Sequence, residues 1–314
     1  MVVALTAYSL VIGMNTALET LVSQAFGRQN FKDCGLYLHR AILMVTLFLI
    51  PLSFALPFTS SLLQSVGIDT AAADLAAKYM MTFMPGLFLN SYADALDIFL
   101  LGMGKTYIIM YMQLAVIPLH LFFVWFFVSF MGYGVVGAAN AHNLTAVVTF
   151  ILQFSYCRYC PEIQEAWYWP SLKIFRGLYE YLCLAIPGTL MLFFENLSMQ
   201  ALVLMAGATG DVNALAAQVL VVSIGELLLT FPYGLSLSAA AFVGNAMGAK
   251  RPVLAKSNSR IFFIFSAIIA LIVCATISHY RHSIITLYGA TIEVRNLADP
   301  TIRVFAIVFF CDWV

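Results

Sequence analysis

The residues most able to do chemistry in this sequence are six carboxylates that lie inside long apolar stretches. They are Glu19, Asp94, Asp97, Glu195, Glu226 and Asp312. A charged side chain at the centre of a bilayer costs about 2.5–3.5 kcal/mol on insertion scales, so such residues persist mainly where they pair or where they bind an ion or a proton. Their placement predicts ion or proton chemistry inside a membrane.

Glu195 is the first candidate for that chemistry. It follows Pro187 in the same apolar stretch, and a proline frees backbone carbonyls and can bend a helix toward a cavity. An apolar environment disfavours the charged form of a carboxyl, so Glu195 would hold a proton until a cation displaces it. The alternative is a structural carboxyl that is hydrogen-bonded to a neighbouring helix.

Asp94 and Asp97 stand three residues apart, which places both on one face of a helix. Such a pair can share a proton or bind a cation. Because the stretch ends near a basic connector, pairing with Lys105 or with another helix end is the favoured interpretation. Glu19 is expected to stabilise its half of the protein as a partner of Arg28 or Lys32.

The composition predicts a membrane protein. Of 314 residues, 62% are hydrophobic and 10% are charged, and the mean hydropathy is +0.94. A helical span needs about 20 mostly apolar residues, and nine spans are predicted, at 1–24, 37–66, 71–102, 107–131, 133–156, 178–206, 211–243, 258–278 and 298–314. The runs lack the alternation of barrel strands, so the fold class is all-α. The chain is expected to be cut inside a helix at both ends.

The connectors predict the orientation and the domain boundary. Most Lys and Arg residues lie in every second connector, which places those connectors in the cytosol. The longest connector, 158–177, is interpreted as a cytosolic linker. It would join an N-terminal lobe at 1–157 to a C-terminal lobe at 178–314.

Two similar stretches indicate an internal repeat. "GMNTALETLVSQAFGR" and "GLSLSAAAFVGNAMGAK" align at an offset of 221 residues, which pairs Gly13 with Gly234, Gln24 with Asn245, and Gly27 with Gly248. An even number of predicted spans separates the copies, so both face the same way across the bilayer, as in a parallel repeat. The expected architecture is two six-helix lobes around a central cleft, which is the form of alternating-access transporters.

The stretches "ALETLVSQAFGR", "FLLGMGKTY", "AIPGTLMLFFENLSMQALVLMAG" and "FPYGLSLSAAAFVGNAMGAK" resemble signatures of the multidrug and toxic compound extrusion (MATE) family in its eukaryotic branch. The family has twelve helices in two bundles of six and exports organic cations or other amphiphiles in exchange for protons or sodium ions. The resemblance implies family helices 2–6 in the N-terminal lobe and helices 7–10, the last incomplete, in the C-terminal lobe.

The resemblance also implies site residues for ion or proton coupling. Glu195 matches an acid of the family's seventh helix, and Asp312 matches an acid of the tenth. Val222 stands where animal members carry an acid in the eighth helix, and Glu226 lies one helical turn later, where it would substitute.

Substrate binding is assigned to Gln200, Gln218, Asn196 and Tyr233. Gln200 replaces a second acid of many animal members, and an amide cannot exchange a proton. Gln218 matches a family glutamine, which either orients a ligand or forms an interhelical hydrogen bond. Tyr233 offers a ring to an organic cation.

Other functions are weakly indicated. The lone "CRYC" at Cys157 and Cys160 does not complete a zinc site, and motifs for nucleotides or covalent catalysis are missing. We therefore expect no enzyme activity, metal or cofactor, with H⁺ or Na⁺ as coupling ion. The expected partners are a cationic or amphiphilic small molecule and the lipid bilayer, with no nucleic acid. The protein is expected to be a multi-pass monomer of the plasma membrane or of an internal compartment.

A flippase for lipids or lipid-linked oligosaccharides is the alternative with the same two-lobe architecture. A large anionic headgroup calls for several Lys or Arg residues inside the cleft. In this sequence the basic residues lie at the ends of the spans.

Overall fold

The computed structural model describes residues 2–65 and 70–313, with their side chains except at 2–8, 72, 312 and 313. The helices are α1 (Val2–Gly27), α2 (Phe31–Ala55), α3 (Thr59–Ser65), α4 (Thr70–Gly102), α5 (Thr106–Val124), α6 (Gly134–Tyr159), α7 (Leu178–Ala208), α8 (Val212–Gly248), α9 (Pro252–Leu287) and α10 (Ile292–Trp313). Short 3₁₀ turns lie at Leu56–Phe58, Pro161–Ile163 and Leu172–Phe175, and a π-helical turn follows α5 at Trp125–Phe130.

The all-α prediction is confirmed, since the described residues contain no strand. With α2 and α3 joined into one segment, the described helices correspond one to one with the nine predicted spans. Six of these nine segments are long and apolar enough over their described residues to cross a membrane: Phe31–Ser65, Thr106–Phe130, Gly134–Tyr159, Leu178–Ala208, Val212–Gly248 and Pro252–Leu287. The predicted spans that correspond to α1, α4 and α10 are not among the six. The protein is an integral, multi-pass membrane protein. Met1 and Val314, where a helix is expected to be cut, lie outside the described residues.

The repeat is visible in the backbone at the ends of α1 and α8. Gln29 and Lys250, which are related by the offset of 221, both have a left-handed backbone, with φ of 59° and 56°. Each is followed by a residue whose N–H donates to a carbonyl five residues earlier. Asn30 donates to Ala25 at 3.0 Å, and Arg251 donates to Ala246 at 2.9 Å. This is the Schellman arrangement of a helix end. Both copies therefore end a helix in the same way, as the repeat predicts.

Packing divides the chain into two compact units. Unit 1 contains Met1–Phe193 and the last turn of α8 with the turn after it, Met247–Lys250, whereas unit 2 contains Phe194–Ala246 and Arg251–Val314. The segment between α6 and α7 thus packs as part of unit 1. The lobe limits 1–157, 158–177 and 178–314 stay a prediction, because they divide the chain by family helix and not by packing.

Small residues bring helices of unit 1 close together. A Cβ at Gly13 would collide with the backbone of Thr189, and a Cβ at Gly188 would meet the Thr16 side chain, so α1 and α7 cross at these two glycines. The hydroxyl of the buried Tyr181 donates to the Met14 carbonyl at 2.7 Å beside this crossing. The contact explains why the first half of α7 packs with unit 1.

The segment between α6 and α7 is tied to α2 by hydrogen bonds. The buried Arg40 donates from Nε to the Ile174 carbonyl at 3.3 Å and from Nη2 to the Arg176 carbonyl. The Tyr168 hydroxyl donates to the Lys32 carbonyl at 2.8 Å. Burial raises the pKa of the Tyr168 phenol above its ordinary value, so the hydroxyl keeps its donor proton at neutral pH.

The core of unit 2 lies among α8, α9 and α10. Its fully buried centre includes Ile285 and Ala298, and Gly225 of α8 lets the ring of Phe305 approach the α8 backbone. At one end, Arg281 Nε lies 2.7 Å from Asp299 Oδ1. These contacts fix α10 against α8 and α9.

Candidate functional site

A cavity of about 580 Å³ lies within unit 2, between α7, α8 and α10. Its lining residues are Glu195, Ser198, Met199 and Leu202 from α7, Gln218 from α8, and Thr301, Val304, Phe305 and Val308 from α10. Lining positions on both α7 and α10 recur at intervals of three and four residues, so each helix contributes one continuous face.

The cavity combines apolar walls with one acid. Among the described lining residues, Glu195 is the ionisable one, and its side chain is exposed to the cavity. The Ser198 hydroxyl donates to the Glu195 carbonyl at 2.7 Å, and the Thr301 hydroxyl donates to the Leu297 carbonyl at 2.8 Å. Because these hydroxyl protons are used within their own helices, the two hydroxyl oxygens can offer only acceptor lone pairs to a ligand. Such a lining suits a small molecule that is partly apolar and positively charged.

Two of the predicted site residues come together in this cavity. Gln218 is half-buried and lines the same cavity as Glu195. The two residues lie on different helices, Glu195 on α7 and Gln218 on α8. A carboxylate and an amide on facing helices can together fix the orientation of a bound cation. The structure therefore places the first coupling candidate beside one of the proposed ligand orienters.

The other predicted site residues lie outside this lining. Glu226 is exposed on α8, two turns beyond Gln218. Asn196 directly follows Glu195 and faces another direction, and the buried Gln200 Oε1 has no hydrogen-bond partner among the described residues. Tyr233 directly follows Pro232, and Pro232 lines a separate small groove. The roles of these residues stay predictions.

Asp312 belongs to α10, four residues after Val308 of the cavity lining. Its side chain lies outside the described part of the chain. Its role in coupling therefore also stays a prediction.

The family model described as MatE matches residues 1–126 and 187–314. The chain belongs to the MatE family. The two matched stretches cover most of the sequence and leave out the region that contains α6 and the segment before α7. The resemblance inferred from the sequence motifs is therefore confirmed at the level of the family.

Relatives and solved structures agree with this MatE assignment. The chain is 26% identical to Protein DETOXIFICATION 16 of Arabidopsis thaliana over 98% of this chain and 64% of the relative. It is 27% identical to Protein DETOXIFICATION 37 of the same organism over 88% of this chain and 56% of the relative. The chain thus spans less than two thirds of the length of these curated relatives.

Among solved structures, the crystal structure of the eukaryotic MATE transporter AtDTX14 matches with a TM-score of 0.92 and 23% identity, over 98% of this chain and 69% of that chain. An outward-facing multidrug resistance MATE family transporter of the MOP superfamily matches with a TM-score of 0.82 and 18% identity, over 98% and 69%. These likenesses show that the chain has the MATE fold, with its two-lobe architecture.

The carboxylates of unit 1 have amide partners. Asp97 accepts hydrogen bonds from Gln153 Nε2 at 2.7 Å and from Gln113 Nε2 at 3.2 Å. Asp94 accepts from Asn90 Nδ2 at 3.2 Å. These bonds join α4 to α5 and α6.

The basic partners expected for the unit 1 carboxylates are engaged elsewhere or are not in contact. The pairing of Asp94 or Asp97 with Lys105 is wrong, because Lys105 forms an ion pair with Glu162 of the segment before α7. The expectation for Glu19 also fails, since the ion pairs of the described residues do not join it to Arg28 or Lys32. Glu19 is half-buried on α1.

Thr301 and Ser198 are the polar lining residues that the sequence analysis missed. Ser198 lies three residues after Glu195, and this helical spacing would have placed it on the same face. Thr301 comes from α10, and the fact that α10 and α7 line one cavity depends on the tertiary fold and leaves no local signal in the sequence.

Proposed function

We propose that the protein is a secondary active transporter that exports organic cations or other amphiphilic small molecules in exchange for H⁺ or Na⁺. Transport would proceed by alternating access in the complete protein. The observation that carries the proposal is the cavity of a MatE-family chain that holds one acid, Glu195, among apolar walls. We expect no enzymatic reaction to be involved.

The mechanism follows from the charge of Glu195. In a cavity with low-dielectric walls, an ionised carboxylate is strongly stabilised by a positive charge, whether that charge is a coupling ion or a cationic substrate. Two cations that need the same carboxylate exclude each other. Binding of one therefore favours release of the other, which is the minimum requirement for exchange.

The walls would contribute selection. Met199, Leu202 and Phe305 offer apolar surface to the organic part of a substrate, and the Phe305 ring can attract a cation that lies over its face. Gln218 would orient the ligand by hydrogen bonding. A substrate with a compact charge and an apolar body fits this lining better than a fully polar solute.

The flippase alternative is not supported by the lining. A large anionic headgroup would need Lys or Arg inside the cavity, and the described lining residues include neither. An ionised Glu195 would in addition repel a phosphate group.

The test is uptake of the cationic dye ethidium into liposomes that contain the full-length protein. A pH gradient and a sodium gradient are imposed separately, and the gradient that drives uptake identifies the coupling ion. We expect Glu195→Gln to abolish gradient-driven exchange while the protein still folds and inserts. Glu180→Gln is the matched control, because Glu180 is an exposed acid in the first turn of the same helix.

A wild-type rate with the same pH dependence in Glu195→Gln would overturn the assignment. Coupling would then pass to Asp312 or Glu226 as the leading candidates. Retained dye binding with no gradient-driven uptake would support a coupling role for Glu195 and separate it from substrate binding.

A further inference from the structure

A second polar cluster lies in unit 1, apart from the cavity of unit 2. It consists of Asp94 and Asp97 on α4, Gln113 on α5 and Gln153 on α6, with Asn90 bound to Asp94. Residues three apart on a helix have Cβ atoms about 5–6 Å apart. Two ionised carboxylates at that separation in a membrane segment repel each other unless a positive charge lies between them.

No protein cation provides that charge among the described residues. Every side chain that donates to Asp94 or Asp97 is a neutral amide. Of the nearest basic residues in the sequence, Lys105 pairs with Glu162, and the Arg158 guanidinium lies 5.9 Å from the centroid of the Tyr159 ring. The carboxylate pair therefore lacks a counterion from the described protein.

Gln153 points independently to a missing ligand. Its side chain is fully buried, and its Nε2 donates to Asp97, but its Oε1 has no hydrogen-bond partner in the described structure. Turning the amide over would place Oε1 against a carboxylate oxygen and would leave Nε2 without that acceptor. In either orientation one polar atom of the buried Gln153 amide is left without a partner among the described residues.

The titratable groups that face Asp97 come from two helices. Asp94 faces it from the same helix, and the buried thiol of Cys157 faces it from α6. α5 contributes the amide of Gln113. A thiol and a second acid add no positive charge, so they do not replace the missing counterion.

We propose that Asp94, Asp97 and Gln153 form a second cation site that binds one monovalent cation, Na⁺ or H⁺. Carboxylate and amide oxygens are the ligands that hard cations prefer. A sodium ion would take Gln153 Oε1 as a ligand, whereas a proton on either acid would provide an O–H donor near that oxygen. Either cation removes the repulsion and supplies the missing partner.

This inference goes beyond the proposed function, which assigns coupling to Glu195 in unit 2. It predicts cation binding and does not depend on transport. Glu195 can also bind cations, so the measurement is made on full-length protein that carries Glu195→Gln. In this background, Asp94→Asn and Asp97→Asn are introduced together. Asp74→Asn is the matched control, because Asp74 is an exposed acid at the other end of α4 that accepts from Ser60.

Sodium binding is measured by calorimetry with NaCl, and choline chloride controls for ionic strength. A bound proton is measured at neutral pH as the infrared C=O band of a protonated carboxyl. We expect one Na⁺ per chain or one such band in the background and in the Asp74→Asn control, and we expect its loss when both acids are replaced. A heat of binding on addition of NaCl identifies Na⁺ as the cation. A protonated-carboxyl band without that heat of binding identifies H⁺.

A background that shows neither signal would overturn the inference, as would signals that persist after both acids are replaced. Gln153→Met gives a second test if the double replacement fails to fold. It keeps the volume but removes the whole amide, both the oxygen and the Nε2 that donates to Asp97, so we expect binding to weaken about tenfold or more. Unchanged affinity in Gln153→Met would contradict the role of the oxygen. If the protein with Glu195 intact fails to transport ethidium while the cation signal is present, this site stands and only the proposed function is refuted.

Discussion

The two repeat-related glycines Gly13 and Gly234 should respond in opposite ways to substitution by alanine. A Cβ at Gly13 would lie 2.7 Å from the Cβ of Thr189 and nearer still to the Thr189 backbone. Carbon atoms pack at about 3.5–4.0 Å, so the overlap is roughly 1 Å. Backbone atoms cannot turn away, and α1 and α7 must separate. A Cβ at Gly234 would meet nothing within 4 Å.

The magnitude follows from two terms. Alanine in place of glycine in a helix gains up to about 1 kcal/mol from helix propensity, and this gain is common to both variants. Overpacking at a close contact costs about 1–3 kcal/mol and applies to Gly13 alone. Gly13→Ala should therefore be less stable than Gly234→Ala by about 1–3 kcal/mol, with Gly234→Ala at or above the wild type.

The assay is reversible unfolding of the full-length protein by SDS in mixed micelles, followed by far-ultraviolet circular dichroism. Gly188→Ala provides an intermediate case, because its obstacle is the Thr16 side chain, which can rotate. Equal free energies of unfolding for Gly13→Ala and Gly234→Ala would refute the close crossing of α1 and α7.

Three further predictions concern the connectors. Gln29→Gly and Lys250→Gly should each stabilise the protein by up to about 1 kcal/mol in the same unfolding assay. The reason is that a left-handed backbone costs a non-glycine residue about 1–2 kcal/mol. A loss of stability would contradict the helix-end geometry. Arg40→Gln should speed tryptic cleavage at Lys173, because the Arg40 bonds to the segment before α7 are weakened; an unchanged cleavage rate would show that other contacts hold the segment. Cysteines substituted for Arg158 and Lys250 should react with an impermeant maleimide only from the cytosolic side, and labelling from outside the cell would reverse the predicted orientation.

The order of the helices could be predicted from hydropathy, but the break between α2 and α3 and the ends of the helices could not. The eighth predicted span is 258–278, whereas the corresponding helix α9 runs from Pro252 to Leu287. Lys256 and Arg281 lie on this helix outside the apolar window. Hydropathy detects the part that is buried in hydrocarbon, and a helix can continue into the polar interface, where its charged residues are solvated.

A site residue could be predicted from the sequence where its own residue type was sufficient evidence. A carboxylate in an apolar stretch marked Glu195 without knowledge of its neighbours. The partners of Asp97 were not predictable in this way, because Gln113 and Gln153 reach it from two other helices. Charge favoured Lys105 as the partner, but the geometry of the segment before α7 gives Lys105 a different acid.

The repeat determines the backbone at equivalent positions but not their surroundings. Gln29 and Lys250 share a conformation, whereas Gly13 is crowded by Thr189 and Gly234 is open. The same difference applies to the acids of the two units. Asp97 accepts hydrogen bonds from two amides, whereas Glu195 shares its cavity with one amide, Gln218, and with mostly apolar walls. Because polar groups can replace the hydration of a small ion, we expect the cluster of unit 1 to favour a small ion and the cavity of unit 2 to favour a cation with an apolar body.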